Sequence, residues 1–329
     1  MTARHAATLE AGIPDGIFYD EQDLVEARFL TTTNHGIAPI DWPSFWSSEA
    51  PRQDWLLEPL VPARRQAAIF SPAKVGKSLL ALDAAAAKAT GRSFLGQPPG
   101  APVDVVYIDL EMTPSDLRER MADLGYGPND DLGRLRYYPL PSLPPLDSDP
   151  GGELLTSLAR ECTAALVVID TMARAVGGEE NNADTYRRFY EHTGRRLKAA
   201  GVALLRLDHA GKDASLGQRG SSAKADDLDV VWRLAQVDRT RLTLTLTHSR
   251  VPWVPPEVAI VRYVEPVLRH VLAPDGLPAG THEVAELLES IGVPLNATEA
   301  TASAALRANG TGRRKAVVLN ALRYRREER

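Results

Sequence analysis

The stretch Ser71, Pro72, Ala73, Lys74, Val75, Gly76, Lys77, Ser78 has the residue types and spacing that bind a polyphosphate. It follows G-x-x-x-x-G-K-[ST], with Ser71 in the place of the first glycine. Phosphate binding needs inward-pointing backbone N–H groups at the start of a helix, whose dipole favours anions. Gly76 lets the chain come close, Lys77 would reach the β- and γ-phosphates, and Ser78 would ligate Mg2+. The expected ATP envelope runs from Ser71 through Leu79. Ser71 occupies the turn after a strand, and a positive φ there would strain it mildly.

Two further apolar runs end in carboxylates. Ala165-Leu-Val-Val-Ile169 closes on Asp170, and a charge at the end of a buried strand is costly unless paired. Beside the phosphate loop, Asp170 would hold the water shell of the magnesium ion; the competing reading is an aspartate that only caps the strand. Val105-Val-Tyr-Ile-Asp109-Leu-Glu111 ends in two carboxylates, at the strand terminus where ligands of α/β sheets gather. Hydrolysis needs a base or orienting group for water. Glu111 suits that role, and Asp109 competes for it.

These residues need a scaffold that brings several strand ends to one edge. From about 61 to 264, short β-branched runs alternate with helical stretches, the pattern of a twisted, mainly parallel α/β sheet flanked by helices. Strands are predicted over 66–70, 103–109, 164–170 and 202–208, and a helix over 79–88. Thr113 and Pro114 supply the N-cap and first position of another helix, with Asp116 in its first turn. Residues 228–264 switch to closely spaced strands and predict antiparallel hairpins. Pro139, Pro141, Pro144, Pro145 and Pro150 predict an extended connector over 138–152, neither helix nor central strand.

Beyond 280, Val284, Leu287, Leu288 and Ile291 mark one helix face, and further helices are predicted over 298–308 and 313–326. Three short helices suit a helix-turn-helix or winged-helix module, or equally a helical cap. The expected organisation is an arm over 1–54, an ATPase core over 55–270 and a small basic helical module over 280–329. Trp42, Trp46 and Trp55 are expected to pack on the chain's own core, with a neighbouring subunit's groove as the other reading.

The composition, 44% hydrophobic and 25% charged over 329 residues, is that of a globular chain. No apolar run approaches the ~20 residues of a membrane helix, and a cytoplasmic location is expected. A single cysteine, Cys162, excludes an internal disulfide framework and is expected in the core. The net charge of −5 hides a gradient: from residue 307 onward eight basic residues face Glu327 and Glu328, a local +6 on a body of −11. Such a tail is compatible with nucleic-acid contact or with a solvated helix end.

Taken in order, these motifs resemble those of RecA-like P-loop ATPases of the RepA-type plasmid replicative helicase family, related to DnaB-like hexameric helicases. The resemblance covers about 55–264 and rests on Ile108-Asp-Leu-Glu111, Asp170-Thr-Met-Ala-Arg174, Leu205-Arg-Leu-Asp-His209-Ala-Gly-Lys212 and Gln218-Arg-Gly-Ser-Ser-Ala-Lys224. It implies a catalytic Glu111 and a His209 that senses the γ-phosphate. Lys212, Gln218, Arg219 and Lys224 would meet single-stranded DNA in a central channel; a solvated loop is the alternative.

Related ring helicases carry Lys-x-Arg on a late strand that enters the neighbour's ATP site. Here Thr247-His248-Ser249-Arg250 puts histidine where lysine is usual and leaves Arg250 as the finger, with Arg241 the alternate. Within one chain, only Arg174 is expected near the phosphate loop. The implied protein is a homo-oligomer, a hexamer, that uses ATP and Mg2+ to move on single-stranded DNA alongside replication proteins. A second class is an ATP-switched DNA-binding regulator or assembly factor that does not unwind.

Overall fold

The computed structural model describes residues 39–48, 54–179, 182–210, 227–273 and 280–327. Most of the expected N-terminal arm lies outside them. Its described part is a short helix, α1 (Trp42–Ser47), opened by Pro43 and holding no buried residue. Trp42 and Trp46 stack on each other at 6.4 Å and remain 57% and 76% exposed. They do not pack on the chain's own core, as expected above. Trp55 does, meeting Trp253 edge-on at 4.6 Å.

Beyond a small β1–β2 ribbon (Trp55–Leu57, Val61–Pro62), nine strands form one sheet. In chain order they are β3 (Gln66–Ser71), β4 (Val105–Asp109), β5 (Leu135–Pro139), β6 (Leu166–Asp170), β7 (Ala203–His209), β8 (Val230–Gln236), β9 (Arg241–Ser249), β10 (Glu257–Tyr263) and β11 (Arg269–Leu272). The spatial order is β11-β10-β9-β8-β3-β7-β6-β4-β5. The six strands from β8 to β5 run parallel, and β9, β10 and β11 extend the sheet antiparallel, as the hairpin pattern predicts. All five or six residues of β3, β4 and β6 are buried, the mark of strands covered on both faces.

Alternate residues divide the core. Ile69, Tyr107, Val168 and Leu205 face α2 (Lys77–Thr90) with Leu80 and the alanines that follow it. Val106, Ile108, Val167 and Leu204 face the other layer, which contains α4 (Asp149–Glu161) and α6 (Ala183–Phe189). Between α2 and α4 in the chain comes α3 (Pro114–Asp123), whose start is the predicted one: Thr113 and Asp116, on either side of Pro114, form a reciprocal capping box.

The proline-rich stretch differs from expectation at both ends. Tyr138 and Pro139 belong to β5, an edge strand, where a missing N–H costs little. Pro150 sits in the first turn of α4, where it fits. Gly152 follows because a Cβ there would lie 2.0 Å from the carbonyl oxygen of His192, in the π-helical turn Tyr190–Gly194 that joins α6 to α7 (Arg195–Ala199). Cys162 lies at the C-terminal end of α4, half-buried rather than in the core as expected.

The last three helices, α8 (Thr281–Ser290), α9 (Glu299–Ala308) and α10 (Lys315–Glu327), close a separate apolar cluster around Val284, Leu288, Leu306, Val318 and Leu322. Among the described residues no helix is long and apolar enough to cross a membrane.

Candidate active site

β3 delivers Ser71 to the carboxyl edge of the parallel strands, and residues 72–76 turn from there into α2. Lys74 (φ 65°) and Gly76 (φ 107°) carry the left-handed backbone of that turn. The strain expected at Ser71 therefore falls on Lys74 instead. Ser71 is fully buried, and its Oγ donates to the carbonyl of Pro72 at 2.8 Å. Gly76 precedes α2 with no side-chain cap, and no acidic residue occupies the first helical turn. The helix start thus presents N–H groups and a positive dipole end to an anion. Lys77 is 7% exposed, and no ion pair or hydrogen bond reaches its ammonium among the described residues. The charge it does feel is that of buried Asp170 across the loop. A polyphosphate would give the ammonium direct partners.

Asp170 ends β6 beside this loop and is 1% exposed. Ser78 Oγ donates to its Oδ1 at 3.1 Å, and the Tyr107 hydroxyl donates to its Oδ2 at 3.1 Å. Burial, helped by the charges of Asp109 and Glu111, pushes the Asp170 carboxyl up to about 6 despite the Ser78 bond and Lys77. A desolvated carboxylate touching a serine hydroxyl is a donor set that Mg2+ would suit.

The two carboxylates after β4 separate cleanly. Asp109 is fully buried; its Oδ1 accepts from the backbone N–H groups of Glu111 and Met112 at 2.8 and 2.9 Å, and its Oδ2 accepts from the Tyr137 hydroxyl. It is consumed in shaping the turn. Desolvation raises the hydroxyls of both Tyr107 and Tyr137, so each stays a donor to its carboxylate. Glu111 is carried out of the sheet by that turn and is about one-third exposed. Its Oε1 accepts from Thr171 Oγ1 at 3.2 Å and Arg174 Nε at 3.3 Å, and lies 4.0 Å from His209 Nε2. β7 pairs His209 with Ser71 in register, which sets the imidazole next to the phosphate loop.

The arginines divide between the two ends of the sheet. β9 runs antiparallel to β8, so Arg250, just past its end, lies at the opposite edge from the phosphate loop, where its N–H donates to the carbonyl of Asp229. Nε2 of His248, in the preceding turn of strand, is buried without a hydrogen-bond partner among the described residues. Arg241 starts β9 and faces Asp238 at 3.8 Å. Sequence reasoning missed Arg262. At the end of β10 its Nη1 stands 3.1 Å from where a Cβ on Gly76 would be, so Arg174 is not the only arginine near the loop. Its Nη2 donates to the carbonyl of Arg239 at 3.2 Å. A lone arginine in an apolar strand gives no local signal; the return of β10 to the loop's edge is a property of the topology. Tyr107 and Tyr137 were missed as well, although Tyr107 shares a strand face with Asp109 at period two. Lys212, Gln218, Arg219 and Lys224 fall in 211–226, outside the described residues.

Residues 37–215, more than half of the chain, match a family described as an AAA domain (AAA_25). Among solved structures, the KaiC-like protein PH0186 of the hyperthermophilic archaeon Pyrococcus horikoshii OT3 matches 65% of this chain and 91% of its own, at 15% identity and a TM-score of 0.48. No curated protein matches. By the family match, which spans the phosphate loop, both carboxylate strands and His209, the chain belongs to the AAA domain family of P-loop ATPases.

Proposed function

We propose that the chain is an ATP-hydrolysing, self-associating motor of the RepA-like type that moves on single-stranded DNA. The observation that carries the reading is the buried Lys77 beside the Ser78–Asp170 contact, with Glu111 held just outside. Lys77 neutralises the β- and γ-phosphates, and the N–H groups at the start of α2 hold their oxygens. Mg2+ held by Ser78 and, through water, by Asp170 would offset charge on the same oxygens. Glu111 orients water and accepts its proton at Oε as the water oxygen bonds to the γ-phosphorus and the bond to the β-bridging oxygen breaks, releasing ADP and phosphate. Asp109 is excluded from that role by its full set of hydrogen bonds. His209, between Glu111 and the following loop, relays the state of the γ-phosphate.

Two observations support a site shared between subunits. Arg250 lies at the wrong edge of the sheet to serve its own phosphate loop, as a residue acting on a neighbour must. The exposed Trp42 and Trp46 stack also offers aromatic surface of the kind that self-association covers. A hexamer acting with replication proteins in the cytoplasm follows from the RepA resemblance. The regulator reading is favoured by one feature, the basic face of α10.

Glu111→Gln is expected to keep ATP binding and to lower turnover by roughly 10² to 10⁴. The wild type should displace a strand from forked DNA, and the variant should not. Wild-type hydrolysis in Glu111→Gln would refute the base assignment. ATP turnover without strand displacement would favour the regulator.

A further inference from the structure

The basic tail does two different things. Arg325 is buried and donates to the carbonyl of Val293 at 2.8 Å, and Arg326 donates to the carbonyls of Leu295 and Ala297 at 2.8 and 3.0 Å. These two fasten the end of α10 to the α8–α9 connector. The other described cations from 313 onward have exposed side chains, Arg313 also donating to the carbonyls of Thr311 and Gly312 at 3.3 Å. α10 gives Val318, Ala321 and Leu322 to the module's core, which leaves Lys315, Ala316, Leu319 and Arg323 exposed on the other side, with Asn320 half-exposed at its margin and Arg313 and Arg314 exposed just before it. From 313 to 326 there are six basic residues and no acidic one, on a chain whose net charge is −5. Glu299, on α9, lies 4.0 Å from Lys315 Nζ, and the charge of Glu283 acts on Arg313.

We infer that this face binds double-stranded DNA, with α10 lying in the major groove. The helix has 13 residues, which makes it roughly 20 Å long, and a helix of ordinary diameter fits a groove ~12 Å wide. Ala316 and Leu319 present the small apolar surface that meets thymine methyl groups, and Asn320 and Arg323 are side chains that hydrogen-bond base edges. Arg313, Arg314 and Lys315 surround the helix N-terminus, where cations and dipole together attract phosphate. Three other occupants fit less well. Single strands bind on stacking aromatics, and no aromatic residue is exposed on this face. A lipid surface needs an apolar face, and that of α10 is already buried in the module. An acidic protein would leave Asn320 and the small residues without a role.

This surface is independent of the ATP site, so the two readings fail separately. The full chain is titrated against a short labelled duplex and its separated strands across a salt series. The duplex should bind, and the separated strands report the proposed motor's own single-strand binding separately. Arg314→Ala with Arg323→Ala should weaken duplex binding roughly tenfold or more and flatten the salt slope by about 2, leaving ATPase rate and melting temperature unchanged. Lys77→Ala should bind duplex as the wild type does. If the double variant melts early, Arg313→Glu, distant from the module's core, repeats the test. No duplex binding by the wild type, or full duplex affinity in folded variants, would overturn the assignment.

Discussion

The two ends of the central sheet treat buried charge in opposite ways. At the amino edge, Asp229 is 1% exposed and fully satisfied: Lys198 Nζ donates to both carboxylate oxygens at 3.0 Å, Arg65 lies at 3.6 Å and the Gln66 N–H donates at 3.0 Å. At the carboxyl edge, Lys77 is buried with no hydrogen bond or ion pair to its ammonium among the described residues, and Asp170, whose charge it feels, is buried deeply enough for its carboxyl to rise to about 6. The same strands run through both ends. One end is finished by the chain itself, and the other stays electrostatically incomplete until a phosphate and a cation arrive, as perturbed groups at functional sites tend to be.

Breaking the incomplete end should cost function far more than stability. Lys77→Ala is expected to lower ATP turnover by at least about 10³-fold, the scale on which single cations act in phosphoryl transfer, with weaker nucleotide binding and little change in melting temperature. Calorimetric titration with ATP and a phosphate-release assay read both. Unimpaired turnover would remove Lys77 from the site.

The finished end should show the reverse. Asp229→Ala leaves Lys198 and the Gln66 N–H without their acceptor and should destabilise by roughly 3 kcal/mol, measured by denaturant unfolding, while the folded fraction hydrolyses ATP normally. Asp170→Asn is the sharper contrast. The fold raises this carboxyl from 3.8 to about 6, so the native state favours its neutral form. Metal-free stability from this group is therefore fully present below about pH 4 and is lost as pH rises through about 6. The loss is worth at most about 3 kcal/mol. Asp170→Asn should then be more stable than the metal-free wild type at pH 7 to 8 and gain nothing below about pH 4, while losing Mg2+-dependent nucleotide binding. A variant less stable at neutral pH would contradict this account of the edge.

Arg262 tests the smallest effect. β10 and β6 lie on opposite sides of β3, so Arg262 approaches the phosphate loop from the side away from Asp170 and Glu111. It should hold the α-phosphate or ribose rather than the reacting phosphate. Arg262→Ala should raise the Kd for ATP and ADP alike, by about tenfold, the equivalent of one charge-assisted contact, and leave kcat unchanged. A fall in kcat at unchanged Kd would place it with the hydrolytic groups.

Much of this was legible in the sequence where local chemistry sets structure. Four strands were placed to within about two residues because β-branched runs bounded by turns leave few alternatives, and Thr113 with Asp116 announced a helix start. Lys77, Ser78 and Asp170 could be brought together because a strand-loop-helix motif fixes one end of the sheet. What stayed hidden depends on contacts distant in sequence. The choice between Asp109 and Glu111 turns on Tyr137, a neighbour only once β5 pairs with β4. Arg262 needs the two antiparallel strands β9 and β10 to reach Gly76. The failure of Trp42 and Trp46 to join the core was illegible for a different reason: large aromatic residues signal burial without saying in which chain.

The proposal that Arg250 of another copy serves the carboxyl edge once nucleotide is bound is tested most directly by subunit mixing. Lys77→Ala subunits keep Arg250, and Arg250→Ala subunits keep Lys77, so each preparation alone should be nearly inactive, because an arginine supplied in trans is worth roughly 10³ to 10⁵ in rate. Mixed under conditions where co-assembly is verified by labelled subunits, the two should regain a measurable share of wild-type ATPase activity at interfaces that pair an intact Lys77 with an intact Arg250. Mixtures as inactive as either parent despite co-assembly, or a strictly monomeric wild type with full activity, would contradict the shared site.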